Sequence, residues 1–314
     1  MHDIVGPLVS SSDLDYHVAM FRQVFDLEVV TSERLTTSEA EAIWGVAGEV
    51  QSCVLRTPGS GYGVQVLEFH PTPAQTIRHH TRGLVPGAAK VMDFFTSDLE
   101  AALDRAQAFG LKITDEIACY DSPEGPVREA HAWVLDEMVC AFIDPPPAMQ
   151  ARFSSDLGRL ISEPQSISGP TTELAASEAY FMEVFGFDVI YRYEVADSNF
   201  GAMIGASEPV HIRARNIGGR LTTPYIGMID YGLHRPGDKL IEPVTLPVRG
   251  LLGVVVQTDD LAGICERAAP YGATLARHSA TPDSAYPSSA LLRAPNGMLL
   301  QVVEAGPQDA RDVS

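Results

Sequence analysis

Positive charge is scarce in this 314-residue chain: 22 Lys and Arg face 41 Asp and Glu, for a formal net charge of −19. A surface of that sign repels a phosphate backbone and an anionic bilayer, so neither nucleic acid nor membrane is an expected partner. Long apolar runs are missing too; none approaches the ~20 residues that span a bilayer. Met1-His-Asp-Ile-Val-Gly6 has neither the basic end nor the apolar segment of an export signal, which leaves a cytoplasmic location as the expectation. Cysteine is sparse, with Cys53, Cys119, Cys140 and Cys265 far apart. Without a Cys-x-x-Cys pair, neither a zinc knuckle nor a disulfide framework is expected. A Gly-x-Ser-x-Gly elbow and a phosphate-cradling loop are also lacking, because Gly59-Ser-Gly-Tyr-Gly63 leads into a strand pattern and not into a helix.

What the chain does contain is a 45% hydrophobic composition, enough for a sizeable core in two domains or one large one. It also contains internal repeats. Phe21-Arg-Gln-Val-Phe-Asp-Leu-Glu-Val-Val30 recurs without a gap as Phe181-Met-Glu-Val-Phe-Gly-Phe-Asp-Val-Ile190, and the stretch 98–110 recurs as 260–272. Each repeat runs from an apolar strand into an acid-Leu pair, at Asp13-Leu14, Asp98-Leu99, Glu173-Leu174 or Asp260-Leu261. An acid there favours the helix dipole, and Asp can also cap the helix. Gly110 and Gly272 fall where a left-handed residue ends it. Three strand patterns follow, at 27–30, 51–56 and 63–69 in the first repeat and at 274–277, 289–292 and 298–303 in the last. The prediction is α+β: four βαβββ modules, two in residues 1–147 and two in 165–305. The proline-rich run Asp144-Pro-Pro-Pro147 leads into a linker at 148–164 that contains a helical pattern, and 306–314 form a tail.

Four βαβββ modules, the acid-Leu landmarks, the Phe-x-x-Val-Phe endings and Pro295-Asn-Gly297 before the last strand make the chain resemble the vicinal oxygen chelate superfamily. That is the glyoxalase, bleomycin-resistance and extradiol-dioxygenase group. The resemblance implies paired modules forming cup-shaped half-barrels, with a divalent metal held by His, Gln or Glu from first and fourth strands. Counting from the landmarks, the first-strand positions fall on Gly6, Val91, Ser166 and Gly253, and the fourth-strand positions on Gln65, Ala141, Gly227 and Gln301. None of the first-strand residues is a usual ligand, and of the fourth-strand residues only the two glutamines offer an oxygen. With neighbouring modules paired, they belong to different domains and do not complete one site. No cofactor is expected; a divalent metal is the disfavoured alternative.

Other candidates follow from strand alternation. Asp93, between Met92 and Phe94, is a candidate general acid or base, with Phe95 on its face; His131 and Trp133 share a face of another strand. His211, Arg213 and Arg215 alternate along one strand, either as a solvated face or as a cationic wall. His278 and Tyr286 sit in a long loop at 276–289, where the resemblance implies a lid. His79-His80 lies in a loop with no carboxylate partner nearby in sequence. The expectation is a metal-independent enzyme that performs proton transfer, as a lyase or isomerase, on a small apolar, aromatic or carbonyl-bearing metabolite. Catalysis falls to Asp93, His131 and His211, and substrate binding to Gln65, Phe95, Trp133, Arg213, Gln301, His278 and Tyr286. The alternatives are a drug-binding protein of the resistance type and a metal-dependent dioxygenase or glyoxalase-type lyase. The oligomeric state, a homodimer included, stays open.

Overall fold

The computed structural model describes residues 2–305 except 115–116, 154–157, 208, 220–222, 235–237, 239 and 281–285. The first module contains β1 (His2–Ser11), α1 (Leu14–Phe25), β2 (Glu28–Leu35), α2 (Thr37–Trp44), β3 (Glu49–Arg56) and β4 (Gly63–His70). The second contains β5 (Val91–Thr96), α3 (Leu99–Phe109), β6 (Lys112–Ile113), β7 (Ala118–Ser122), β8 (Gly125–Val134) and β9 (Met138–Asp144). After α4 (Pro147–Phe153), the third contains β10 (Ile161–Pro170), α5 (Leu174–Phe185), β11 (Asp188–Asp197), α6 (Ser198–Met203), β12 (Val210–Gly218) and β13 (Tyr225–Asp230). The fourth contains β14 (Gly250–Thr258), α7 (Leu261–Ala268), β15 (Thr274–His278), β16 (Ser289–Arg293) and β17 (Leu299–Glu304).

The landmark acids act as their chemistry suggests. Asp13, Asp98 and Asp260 accept hydrogen bonds from the backbone N–H of Tyr16, Ala101 and Gly263 and so cap α1, α3 and α7, whereas Glu173 makes no side-chain cap on α5. Gly110 closes α3 in the left-handed region, and Gly272 closes the 3₁₀ turn after α7. The Phe-x-x-Val-Phe endings bury Phe21, Val24, Phe25, Phe181, Val184 and Phe185 to 2% exposure or less. Truncating any of these phenylalanines to Ala should cost about 3–5 kcal/mol.

Two curled sheets result. One runs β15-β16-β17-β14-β1-β4-β3-β2 and the other β11-β12-β13-β10-β5-β9-β8-β6, with β7 paired to β8. The expected division into halves at the proline-rich run is therefore corrected: the first module shares a sheet with the fourth, and the second with the third. The seams are the antiparallel pairs β1–β14 and β5–β10. Every module offers the same free first-strand edge, so the repeats alone do not say which edges meet. The 148–164 segment connects two modules of one sheet. The crossings between sheets are instead 71–90 and 231–249, and these segments bind each other through Ile77 N–H to Arg249 O, Arg249 N–H to Gln75 O and Ile241 N–H to Pro86 O. A single large core containing residues of α1, α3, α5 and α7 joins the helical sides of both sheets, with α1 against α3 and α5 against α7. Among the described residues no helix is long and apolar enough to cross a membrane.

Candidate functional site

Each sheet forms a concave cup, and the two cups are lined differently. The inner cup, from the second and third modules, is a cavity with an empty volume of about 850 Å³, part of it open to solvent. Its floor is the β5–β10 seam, which sets Asp93 opposite Ser166 and Val91 opposite Ser168. Strand alternation brings Phe95 to the same face, Glu129 and His131 from β8, Asn216 from β12 and Tyr225 from β13. Tyr120, Tyr193, Tyr231 and Phe200, the last from α6, complete a largely aromatic wall.

Asp93 is 9% exposed, and the Ser166 and Ser168 hydroxyls both donate to its Oδ2, the second at 3.2 Å. Burial, with repulsion from Glu129, pushes its carboxyl up to about 7; the serine hydroxyls and the Lys90 ammonium oppose the rise. Glu129 accepts from the Tyr120 hydroxyl at 2.7 Å and pairs with His131 Nε2 at 2.9 Å. Burial pushes the His131 imidazole down against the pull of Glu129, so it is neutral at pH 7. The bond to Glu129 selects the Nε2–H tautomer and leaves Nδ1 as the basic nitrogen. Lys90, 4% exposed, is pushed down to about 8 by burial and by Arg78, and its Nζ lies 5.7 Å from the centre of the Tyr231 ring. The arrangement combines a carboxyl that changes charge near neutrality with a neutral imidazole and a second carboxylate, all behind aromatic walls. Such groups can take a proton from carbon or oxygen and return it nearby.

Glu129 was not singled out in the sequence, although it sits two residues before His131 and so shares its face. Trp133, on that face too, is half-buried beyond the cavity lining and meets the His80 ring edge-on at 6.5 Å. His211 and Arg213 lie outside both cups, which corrects their expected roles. Val210, Ile212 and Ala214 take the buried face of β12, so the intervening cations face solvent. His211 lies 3.8 Å from Glu194, both being 61% exposed, and Arg213 pairs with Asp230. Tyr231, next to Asp230, is the one of the two that turns inward.

The outer cup holds Gln65, Gln301, Tyr286 and His278. Gln65 donates to Ser52 Oγ and to the Tyr286 hydroxyl, both at 3.1 Å, and His278 packs edge-on to Tyr286 at 6.4 Å. Burial drives the Tyr286 hydroxyl up to about 12. Of the expected lid loop, 281–285 lie outside the described residues, while Tyr286 is packed inside the cup at 8% exposure. The two glutamines share one cup after all, because the first and fourth modules pair. One side of this cup is packed by α2, which buries Ile43 and Trp44 against Leu8, Leu67, Leu252 and Leu291. An open groove beside them is lined by Glu33, Ser52, Gln65 and Tyr286.

Neither cup fits the divalent metal that the resemblance implies. Gly6 and Gly253 occupy bulges in β1 and β14 at φ 154°, where a Cβ would lie 1.7 Å from Gly63 O and 2.0 Å from Leu299 O. No ligating side chain can stand there. Gln65 faces Leu8 and Gln301 faces Val255 across their ladders. In the inner cup, Asp93 faces Ala141, and a Cβ on Gly227 would meet Ser168 Cβ at 2.6 Å. Among the described residues, the one cluster of three His, Cys, Asp or Glu close enough to share an ion lies outside both cups.

Two curled sheets, each built from two βαβββ modules around an open cup, define the vicinal oxygen chelate fold, and this chain has it. Glyoxalase I from Zea mays superposes with a TM-score of 0.65 over 97% of this chain and 92% of that one, at 12% identity. A protein of Bacillus subtilis subsp. subtilis str. 168, provisionally classed as a dioxygenase, superposes with a TM-score of 0.57 over 99% and 87%, at 8% identity. No sequence-family model and no curated protein matches the chain.

Proposed function

We propose that the inner cup is the active site of a metal-independent enzyme that moves a proton on a small, flat, largely apolar molecule bearing a carbonyl or an oxygenated ring, as a lyase or isomerase. The observation that carries this reading is the convergence of Asp93, Glu129 and His131 inside one aromatic-walled cavity. Asp93 is the base: its ionised form grows through neutral pH, and the Ser166 and Ser168 hydroxyls hold the carboxylate in place. Protonated Asp93 returns the proton it took, and Glu129 orients His131, whose free Nδ1 can accept a hydrogen bond from a substrate O–H. Tyr193, Tyr225 and Phe95 offer faces for a planar ligand. The glyoxalase I of Zea mays shows that this fold houses an enzyme elsewhere, but fold alone assigns no reaction.

A panel of aromatic and carbonyl compounds, incubated with the protein in D₂O and followed by proton NMR, tests the proposal. Wild type should exchange a C–H proton next to a carbonyl or ring oxygen, and Asp93→Asn should not. Exchange that persists in Asp93→Asn would remove Asp93 from the chemistry.

A second reading, sequestration of a drug-like ligand, draws on the same aromatic walls and on Glu129 already having its hydrogen bonds from Tyr120 and His131 satisfied. It predicts saturable binding with no exchange and no product. The third reading, a metal-dependent dioxygenase or glyoxalase-type lyase, finds no ligand set in either cup among the described residues.

A further inference from the structure

We infer that His79, His80 and Glu137 form a divalent transition-metal site of their own, on the surface and outside both cups. The sequence offers two adjacent histidines with no acid near them. The fold supplies the acid from a turn 57 residues away, where Glu137 follows β8. Glu137 Oε1 lies 3.9 Å from His79 Nε2, Glu137 Oε2 lies 3.3 Å from His80 Nδ1, and all three ligand atoms lie within 4.8 Å of one another. Ligands held about 2.0–2.2 Å from a tetrahedral zinc ion stand a little over 3 Å apart, so small side-chain rotations close the set.

The surroundings pre-orient these groups. His79 Nδ1 lies 3.0 Å from Thr81 Oγ1 and 3.4 Å from the Thr81 backbone N; an ion on Nε2 would put the ring proton on Nδ1, where Thr81 Oγ1 can accept it. The His80 backbone N–H donates to Glu137 Oε2 at 3.0 Å and steadies the carboxylate. Asp136 and Glu137 both have positive φ, at 65° and 62°. That strained turn is anchored by Asp136, which accepts from Ser12 N–H at 2.7 Å and Arg249 Nη1 at 2.8 Å. Two imidazoles and one carboxylate suit Zn²⁺, Ni²⁺, Co²⁺ or Cu²⁺ and leave coordination positions open. The ion would tie the 71–90 crossing to the β8–β9 turn of the inner cup.

The test is calorimetric titration of Zn²⁺ into tag-free, chelator-treated full-length protein. One ion per chain should bind saturably, and Glu137→Gln, which keeps the shape of the side chain, and His79→Ala should each weaken binding by at least about 10-fold. His211→Ala, on a remote exposed strand face, should leave it unchanged. Cu²⁺ should quench the fluorescence of nearby Trp133, and Trp133→Phe should remove that quench. Absence of saturable binding, or equal affinity in wild type, Glu137→Gln and His79→Ala, would overturn the site.

Discussion

The two cups share a plan and differ in what they bury. In the outer cup Trp44, Ile43 and leucines from four strands form an apolar cluster beside an open groove of about 1640 Å³, and no buried charged side chain lines that groove among the described residues. In the inner cup a comparable sheet surrounds Asp93, Glu129 and His131, each at most 9% exposed, with Lys90 close behind. Burying such groups opposes folding, and the protein tolerates them in one cup only. Duplicated architecture thus carries buried ionisable groups in one cup and none in the groove of the other among the described residues, and the difference is testable residue by residue.

The largest expected effect is on catalysis. Once an exchanging compound is found, Asp93→Asn should lower turnover by about 10²–10⁴-fold, the usual contribution of a positioned acid or base, whereas Gln65→Leu in the outer cup should leave it within a few-fold. A steady-state assay of both variants checks the asymmetry, and equal losses would break it. Trp44→Ala should cost about 3–5 kcal/mol of stability in urea denaturation, because it leaves a void in the apolar cluster that α2 packs into the outer cup.

The pH dependence of stability comes next. The Asp93 carboxyl titrates near 3.8 unfolded and at about 7 folded. Between those values the folded state holds the extra proton, so stability falls as pH rises, by up to about 1.4 kcal/mol per unit, and the contribution levels off above 7. Asp93→Asn should remove that part of the slope, read as the wild-type minus variant difference from pH 4 to 8. A smaller effect is expected at Gln301, which is fully buried; among the described residues neither amide atom has a partner of good hydrogen-bond geometry, the Tyr286 hydroxyl being its polar neighbour. Gln301→Leu should be neutral or stabilising by about 1 kcal/mol, and a loss of more than that would mean that the amide has a partner. His211→Ala and Arg213→Ala, on the solvated face of β12, should change stability by less than about 0.5 kcal/mol.

Much of the fold is legible in the residues. The repeats, the capping aspartates and the strand patterns mark the four modules because each reflects local backbone chemistry. The helix α2 carries its signal too, in the Thr36–Glu39 capping box, though the strand patterns at 27–30 and 51–56 leave its residues unassigned. Module pairing is not legible, since each seam joins edges of the same kind. The site is legible where alternation has a buried reference: Phe94 fixes one face of β5, and Asp93 and Phe95 take the other. His211 misleads because a cationic stripe looks alike on a cup wall and on a solvated face. Only the burial of Ile212 and Ala214 decides between them. Ser166 and Ser168 gain their place at Asp93 from what the seam sets beside them.

The account rests on an inner-cup carboxyl poised to exchange a proton near neutral pH, and carboxyl ¹³C NMR measures that without a substrate. Titrating wild type and Asp93→Asn side by side should reveal one Asp carboxyl with a midpoint near 7 that is missing from the variant. If every Asp carboxyl in wild type titrates below about 5, in the ordinary range, the inner cup is not the proton-transfer site described.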